Sequence, residues 1–214
     1  MTEESMVKYI DLSYDITNDM PVHPYDDKVS LYQDKFLDKD EYNLFKLEIG
    51  MHSGTHIDTP MHMTDKLTYI SEIPLTRFIG KGCLLDVRGE DLIGFKKEYD
   101  ELISENDTVI LYTDHSRKYG TKDYYADHPV VSEDLADFLI DRKINMLGMD
   151  LPSPDKYPFE IHKKLFDNDI LIIENLTNLD KLLGQKNIEI IALPLKIRAE
   201  ASMARVVACC RTDL

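Results

Sequence analysis

Residues 51–63 read MHSGTHIDTPMHM and contain three of the seven histidines in the chain. Gly54 lets the backbone bend sharply, and Pro60 argues against one continuous helix. We interpret the stretch as a strand end that runs into a tight loop, with its side chains converging on a metal. Imidazole nitrogens and carboxylate oxygens are the ligands that a cation such as zinc prefers. The candidate residues are His52, His56, Asp58 and His62.

The alternative is a loop whose polar side chains only satisfy nearby backbone groups. That explanation would suit a single histidine. It explains poorly three histidines and a carboxylate within eleven residues, His52 to His62, in a chain where histidine is otherwise sparse. We therefore favour a metal site, and the surrounding structure has to confirm it.

Length and charge limit the possible classes of protein. A chain of 214 residues can bury one sizeable core, which predicts a single domain over residues 1–214. The net charge of −15, from 40 acidic and 25 basic residues, disfavours nucleic acids and anionic membranes as partners. No apolar run approaches the roughly 20 residues that a membrane span needs.

Two features predict a cytoplasmic protein. Residues 1–5 are polar and partly acidic and lack the basic-then-apolar pattern of a signal peptide. Cys83, Cys209 and Cys210 are odd in number and lie among apolar residues, as reduced core cysteines do.

The apolar pattern predicts alternating strands and helices. Residues 45–49 alternate apolar and charged side chains, which predicts a half-buried strand leading into His52. Residues 108–112, 144–149 and 169–173 are mostly apolar and are predicted to be strands, and the first of these is expected to be covered on both faces. Residues 91–102, 133–139 and 159–166 are predicted to be helical, the second capped by Ser132. The sequence therefore predicts an α/β or α+β domain.

Two residues elsewhere in the chain are candidates for a second group of ligands. Three protein ligands leave a metal open to water, which is typical of a catalytic site. Glu174 ends a very apolar stretch, and a carboxylate there must be solvated, paired or bound to a cation. With Asp58 as a bridge, His162 and Glu174 could hold a second metal. From spacing alone, a surface histidine and a loop carboxylate remain an equal alternative.

The stretch HSGTHIDTPMH, residues 52–62, resembles the His-x-Gly-Thr-His-x-Asp-x-Pro-x-His signature of the bacterial kynurenine formamidase, or cyclase, family, which includes isatin hydrolases. The resemblance spans most of the chain. It also covers residues 11–13, 20–22, 148–153, 193–196 and 201–202, together with His162 and the pair Glu174-Asn175.

This resemblance implies a fold and a set of roles. It implies one swivelling β/β/α domain, assembled as a homodimer or homotetramer. His52, His56 and Asp58 match the ligands of a first metal, and Asp58, His162 and Glu174 match those of a second. His62 matches the catalytic proton carrier. One or two zinc ions are expected for each subunit, with manganese as the alternative.

The resulting hypothesis is a metal-dependent hydrolase of a small-molecule amide, with N-formylkynurenine in tryptophan breakdown as the favoured substrate. A metal would activate water, and His62 would give a proton to the leaving nitrogen. An isatin-like cyclic amide is the closest alternative. A lyase or cyclase acting on a carbonyl compound, and a non-catalytic metal-binding protein with a closed ligand shell, are further ones.

The chain departs from the family pattern where the substrate pocket is expected. Tyr25 stands where members often have glycine, Asp114 and His115 stand where many have a glycine and an aromatic residue, and tryptophan is absent. The family resemblance therefore predicts the metal chemistry of this chain better than it predicts the substrate. The departures at these positions leave the substrate class open.

Overall fold

The computed structural model describes residues 7–211 and is built around one eight-stranded mixed sheet. The strand order is β1-β12-β11-β5-β7-β9-β10-β4, and β12 also pairs with β4. The strands are β1 (Val7–Asp11), β2 (Ser30–Lys35), β3 (Leu44–Glu48), β4 (His56–Asp58), β5 (Ile79–Asp86), β6 (Leu92–Ile93), β7 (Thr108–Tyr112), β8 (Val130–Val131), β9 (Met146–Met149), β10 (Leu171–Glu174), β11 (Ile188–Pro194) and β12 (Ala201–Arg211).

The helices are short and lie mainly in the middle of the chain. The α-helices are α1 (Leu37–Asp40), α2 (Tyr99–Leu102), α3 (Lys122–Ala126), α4 (Glu133–Asp141) and α5 (Glu160–Asp167). One-turn 3-10 helices span Pro60–His62, Ile70–Glu72, Leu75–Arg77, His115–Lys118 and Leu179–Leu182. No helix within residues 7–211 is both long enough and apolar enough to cross a membrane.

The centre of the sheet is parallel and is covered on both faces. Strands β5, β7, β9 and β10 pair in parallel, whereas the pairs on either side are antiparallel. In β7, Val109 and Leu111 face a core shared with α4 and α5, while Ile110 and Tyr112 face a second core shared with β1, β11 and β12. The antiparallel strands β1, β11 and β12 therefore pack over one face of the parallel strands, and the helices α4 and α5 cover the other face. This confirms the predicted mixed α/β class.

Several local predictions are confirmed. Residues 108–112 are buried throughout, and Ser132 begins α4 by accepting a hydrogen bond from the Leu135 amide at 3.4 Å. Cys83, Cys209 and Cys210 are buried and free.

Other local predictions are wrong. Residues 45–49 were expected to be half-buried, but β3 is exposed along its whole length because it pairs only with β2, outside the main sheet. Residues 91–102 form a short strand and one helical turn instead of a helix. The absence of a signal peptide was inferred from residues 1–5, which lie outside the described residues.

Candidate metal centre

The short strand β4 presents two of the predicted ligands on one face. A strand sends alternate side chains to opposite faces, so His56 and Asp58 point the same way while Ile57 points into the core. The sequence predicted a loop here. The backbone is instead a strand held on both sides, by β10 and by β12. Both side chains are 1% exposed, which fixes them more rigidly than a loop would.

The turn before β4 requires glycine and sets the orientation of His56. Gly54 has φ of +64°, and a Cβ there would lie 2.8 Å from the Met20 Cε atom. The Gly54 carbonyl oxygen lies 2.8 Å from His56 Nδ1 and accepts a hydrogen bond from Asn175 Nδ2 at 2.9 Å. A carbonyl only accepts, so Nδ1 carries the proton and Nε2 faces the acidic cluster.

Glu174 lies opposite His56 because β10 and β4 are antiparallel in this register. Directly opposed residues in such a pair have Cβ atoms about 4.5–5.5 Å apart. The Glu174 Oε2 atom is 3.4 Å from His56 Nε2, and its Oε1 atom is 3.2 Å from His162 Nε2. Glu174 is 6% exposed, so it is a buried carboxylate and not a solvated loop residue.

Helix α5 brings His162 to the same place. His162 is 3% exposed, and its Nε2 faces Glu174. The sequence alone left a surface position as an equal alternative, and the burial of this side chain removes it. The fold brings the two distant candidates, His162 and Glu174, to the stretch that contains the others.

Two groups of side chains could therefore hold cations. In each group the potential ligand atoms lie within 4.8 Å of one another. The first group is His52, His56 and Asp58, and the second is Asp58, His162 and Glu174. Asp58 belongs to both, and its Oδ1 atom lies 2.9 Å from His52 Nδ1 and 3.3 Å from His56 Nε2.

The electrostatics of the cluster favour a cation. Burial lowers the pKa of His56, but the carboxylates of Asp58 and Glu174 outweigh it and raise that pKa well above its usual value. Burial likewise lowers the pKa of His162, and hydrogen bonds to Asp155 and Glu174 outweigh it and raise the pKa to about 9. Histidines and carboxylates thus share protons that a divalent cation would displace on binding.

The carboxylates show the complementary effect. Burial raises the pKa of Asp58, but the charges of His56 and His52 outweigh it and hold the pKa well below its usual value. Burial also raises the pKa of Glu174, and the close contacts with His162 and His56 outweigh burial and lower that pKa below its usual value. Both carboxylates are therefore ionised at neutral pH, as metal ligands must be.

Unsatisfied buried atoms provide an independent test of the fit. His56 Nε2 and Asp58 Oδ1 are buried and have no hydrogen-bond partner among the described residues, although they lie 3.3 Å apart. The contact lacks hydrogen-bond geometry, and an unpaired buried polar atom costs free energy. An imidazole nitrogen and a carboxylate oxygen that face each other without a hydrogen bond suit a cation between them. The residues present therefore fit a divalent metal.

His62 lies beside the cluster but belongs to neither ligand group. Its ring centroid is 4.2 Å from that of His52 and 6.4 Å from that of Phe166. Burial lowers the pKa of His62, so the ring is neutral at pH 7. A neutral imidazole next to the potential ligands is free to accept and deliver a proton.

Two carboxylates that were not among the predicted site residues support the histidines. Asp155 Oδ1 lies 2.6 Å from His162 Nδ1, and Glu200 Oε1 lies 3.4 Å from His52 Nε2. Metal-binding histidines commonly place their second nitrogen on such an acceptor. An acidic residue shortly before the helix that carries His162 was a usable signal for Asp155. Nothing in the sequence links Glu200 to His52.

The remaining buried histidines lie in a different environment. His115 and His128 line a cavity of about 540 Å³. Their rings contact backbone carbonyls, His115 Nε2 at 3.0 Å from the Tyr124 oxygen and His128 Nδ1 at 2.9 Å from the Pro129 oxygen. Neither belongs to a ligand group within residues 7–211. Tyr25, the other departure from the family pattern, is 93% exposed.

Comparison with known proteins agrees with this geometry. The sequence model of the family described as "Putative cyclase" matches residues 10–156, which include the whole of β4. The chain belongs to this Cyclase family. It is 31% identical over 208 residues to a kynurenine formamidase of Bacillus anthracis, covering 94% of this chain and 96% of that protein. A kynurenine formamidase of Bacillus cereus is 31% identical over 207 residues, with the same coverage.

Two solved structures share the fold. A potential metal-dependent hydrolase with cyclase activity superposes with a TM-score of 0.77 at 27% identity, covering 97% of this chain and all of that one (100%). An isatin hydrolase bound to the product analogue thioisatinate has a TM-score of 0.85 at 21% identity, covering 95% of this chain and 92% of that one. The second likeness concerns the fold alone.

Proposed function

We propose that the protein is a metal-dependent hydrolase that cleaves an amide bond, with an arylformamide such as N-formylkynurenine as substrate. The observation that carries the proposal is the sharing of Asp58 by two ligand groups, in which every residue except the half-buried His52 is buried, with His62 beside them and outside both. The kynurenine formamidases that match over 94% of the chain support the substrate class and a place in tryptophan breakdown.

His52, His56 and Asp58 would hold one cation, and Asp58, His162 and Glu174 would hold the second. A bound cation supplies an activated water and polarises the carbonyl oxygen of the substrate. Zinc is the proposed metal because nitrogen and carboxylate ligands are its ordinary partners, with manganese as the alternative. Asp58 would fix the spacing between the two sites because its carboxylate serves both.

His62 would move the proton. Its lowered pKa leaves the ring neutral at pH 7, so it can take a proton from the attacking water. The protonated ring then delivers that proton to the leaving nitrogen as the bond between carbonyl carbon and nitrogen breaks. For a formamide the products are an aromatic amine and formic acid, and the acid then releases a proton to the solvent to give formate.

Aromatic side chains near the centre suit an aromatic substrate. Tyr14 and Tyr119 stack with ring centroids 3.8 Å apart. The Tyr125 ring meets the edge of the His23 ring at 5.7 Å, and burial together with nearby charges, including Glu174, raises the pKa of the Tyr125 hydroxyl. His115 Nε2 lies 3.0 Å from the carbonyl oxygen of Tyr124, the residue before Tyr125 in the chain.

A further part of the proposal is a homodimer or homotetramer. Strands β2 and β3 form a ribbon that pairs with no other strand, and an isolated two-stranded ribbon is marginally stable in water. An exposed apolar patch of this kind is typical of a protein–protein contact. Its exposed large side chains are Tyr32, Phe36, Leu37, Tyr42, Leu44, Phe45 and Leu47.

Light scattering would test the assembly. We expect the wild type to be a dimer or tetramer and Phe45→Glu to shift it towards a monomer. Leu92→Glu, at an exposed residue away from the ribbon, serves as the control. A monomeric wild type would refute the assembly.

We also propose that residues 1–214 form a single domain of a cytoplasmic enzyme. The pairing of β1 with β12 ties the two ends of the described chain into one sheet. Three free buried cysteines suit a reducing compartment.

Hydrolysis of N-formylkynurenine by metal-stripped protein, reloaded separately with zinc and manganese, tests the function. We expect formate release that depends on the metal, with His62→Ala retaining its metal but losing turnover. Tight metal binding without formate release would contradict the arylformamidase assignment. Ring opening of isatin in the same assay would then favour the cyclic amide, and a product formed without uptake of water would favour a lyase.

A further inference from the structure

The second ligand group contains a histidine that is clamped by a buried carboxylate outside the group. Asp155 is 6% exposed and lies in the segment between β9 and α5. Its Oδ1 atom is 2.6 Å from His162 Nδ1, on the side of the ring opposite Glu174. Glu174 lies beside the other ring nitrogen, Nε2, and Asp155 belongs to neither ligand group, so Asp155 has a separate role.

The contact determines which nitrogen of His162 can bind a cation. An ionised carboxylate only accepts hydrogen bonds, so the Nδ1 atom beside Asp155 must carry a proton. The lone pair of the neutral ring then lies on Nε2, which faces Glu174 at 3.2 Å. A carboxylate hydrogen-bonded to Nδ1 also makes Nε2 a stronger electron-pair donor to a metal.

The other two histidines of the centre have weaker supports. The His56 Nδ1 atom is held by the uncharged Gly54 carbonyl at 2.8 Å. The His52 Nε2 atom lies 3.4 Å from Glu200, whose side chain is 36% exposed and therefore well solvated. Of the three histidines, His162 has the short contact to a buried carboxylate, which is that of Asp155.

Asp155 also organises the start of α5. Its Oδ2 atom accepts hydrogen bonds from the Ile161 amide at 2.7 Å and the His162 amide at 3.3 Å. Phe159, at the N-cap, provides no side-chain cap. One carboxylate thus satisfies two free amides of the helix and orients the ring that the helix carries.

We propose that Asp155 is a positioning residue that fixes the tautomer of His162 and selectively strengthens the cation site formed by Asp58, His162 and Glu174. The proposal rests on the metal centre of the proposed function and adds a division of labour within it. Asp155 would tune one of the two sites, because its ring contact reaches a histidine that belongs to that site and not to the other.

The variant Asp155→Asn separates the two roles of the side chain. Its amide oxygen can still accept from the Ile161 and His162 amides, whereas its NH₂ group meets His162 Nδ1 as a donor. The ring must then turn its lone pair to Nδ1, away from Glu174. Asp107→Asn is the matched control, because Asp107 is 3% exposed and accepts from the Ser104 amide at 2.9 Å, far from any ligand histidine in sequence.

Zinc titration of the metal-free proteins, followed by calorimetry and metal analysis, measures the effect. We expect two zinc ions in the wild type and in Asp107→Asn. In Asp155→Asn we expect one site unchanged and the other weakened by about 10–100-fold, the usual cost of losing such an outer partner. A purely structural role would instead lower the melting temperature and leave both affinities equal to those of the control.

Equal affinities in Asp155→Asn and wild type would overturn the role of Asp155 alone. A wild type that binds fewer than two zinc ions would refute the metal centre itself, so the two failures are distinguishable.

A measurement on the wild type keeps the proposal falsifiable if the variant does not fold. Nitrogen-15 spectra of the zinc-loaded protein, assigned by the signal lost in His162→Ala, should show the His162 ring proton on Nδ1. A proton on Nε2 would overturn the proposal.

Discussion

The two halves of the metal centre are built in different ways. His52, His56 and Asp58 come from seven consecutive residues, at the end of a turn and on one short strand. His162 and Glu174 come from a helix and a different strand, more than one hundred residues further along the chain. Glu174 meets the first half through the pairing of β4 with β10, and α5 brings His162 to Glu174. The residues of the first half are close together in the sequence, whereas those of the second half are brought together by the fold.

The Asp58 carboxylate belongs to both halves of the metal centre, and its loss should have the largest effect on zinc binding. In Asp58→Asn a neutral amide replaces the charge that both ligand groups use. We expect zinc affinity to fall at both sites by more than the roughly 100-fold upper value for outer-shell partners. Equilibrium dialysis measures the loss, and a single zinc bound with wild-type affinity would show that Asp58 is not shared.

His62 separates chemistry from metal binding. In His62→Ala we expect zinc content to stay unchanged and kcat to fall about 10²–10⁴-fold, the usual contribution of a positioned acid or base. Because burial lowers the pKa of His62 and the neutral ring is the active form, wild-type kcat/KM should fall only below pH 6.5 on acidification. Near wild-type turnover in the variant would remove His62 from the reaction.

Each half can be removed separately. His162→Ala should lose the second cation and keep the first, and His52→Ala should do the reverse, since each histidine belongs to one group. Metal analysis after dialysis measures the stoichiometry. Loss of both ions in either variant would mean that the two sites bind as one cooperative unit.

Protons should leave as zinc enters. The raised pKa values of His56 and of His162, about 9 for the latter, keep these rings protonated at pH 7. Zinc must displace those protons, so its affinity should rise with pH until about pH 9, where the His162 ring loses its proton unaided. Calorimetry in two buffers of different ionisation enthalpy counts the protons, and a count of zero would contradict the pairing described for the cluster.

The smallest expected effect is on stability. The Tyr124 hydroxyl donates to Asn175 Oδ1 at 2.7 Å, and Asn175 in turn donates to the Gly54 carbonyl. Tyr124→Phe leaves a buried acceptor unpaired, which costs about 1–3 kcal/mol, or roughly 2–4 °C in melting temperature for each kcal/mol. Tyr25→Phe, at a residue 93% exposed, is the control and should melt like the wild type.

The same contrast explains how far sequence reasoning reached. The candidate ligands on β4 were predictable because four suitable side chains within eleven residues are a local signal. His162 and Glu174 remained open on spacing alone, because their meeting depends on strand register, and the family resemblance was needed to favour them. Asp155 and Glu200 escaped notice because each acts through another residue.

The fold shows the same limit. Buried strands such as β7 were predicted from apolar runs, because cover on both faces leaves no room for polar side chains. The alternating pattern of residues 45–49 predicted burial wrongly, since alternation indicates two unlike faces but not which surface covers them. In the described structure β3 pairs only with β2, and the proposed partner subunit would supply the missing cover.

Anomalous X-ray diffraction from zinc-soaked crystals, recorded on both sides of the zinc absorption edge, shows directly whether Asp58 joins two zinc sites. We expect two peaks for each subunit, one between His52, His56 and Asp58 and the other between Asp58, His162 and Glu174. A single peak that does not touch Asp58, or peaks at the cavity lined by His115 and His128, would contradict it.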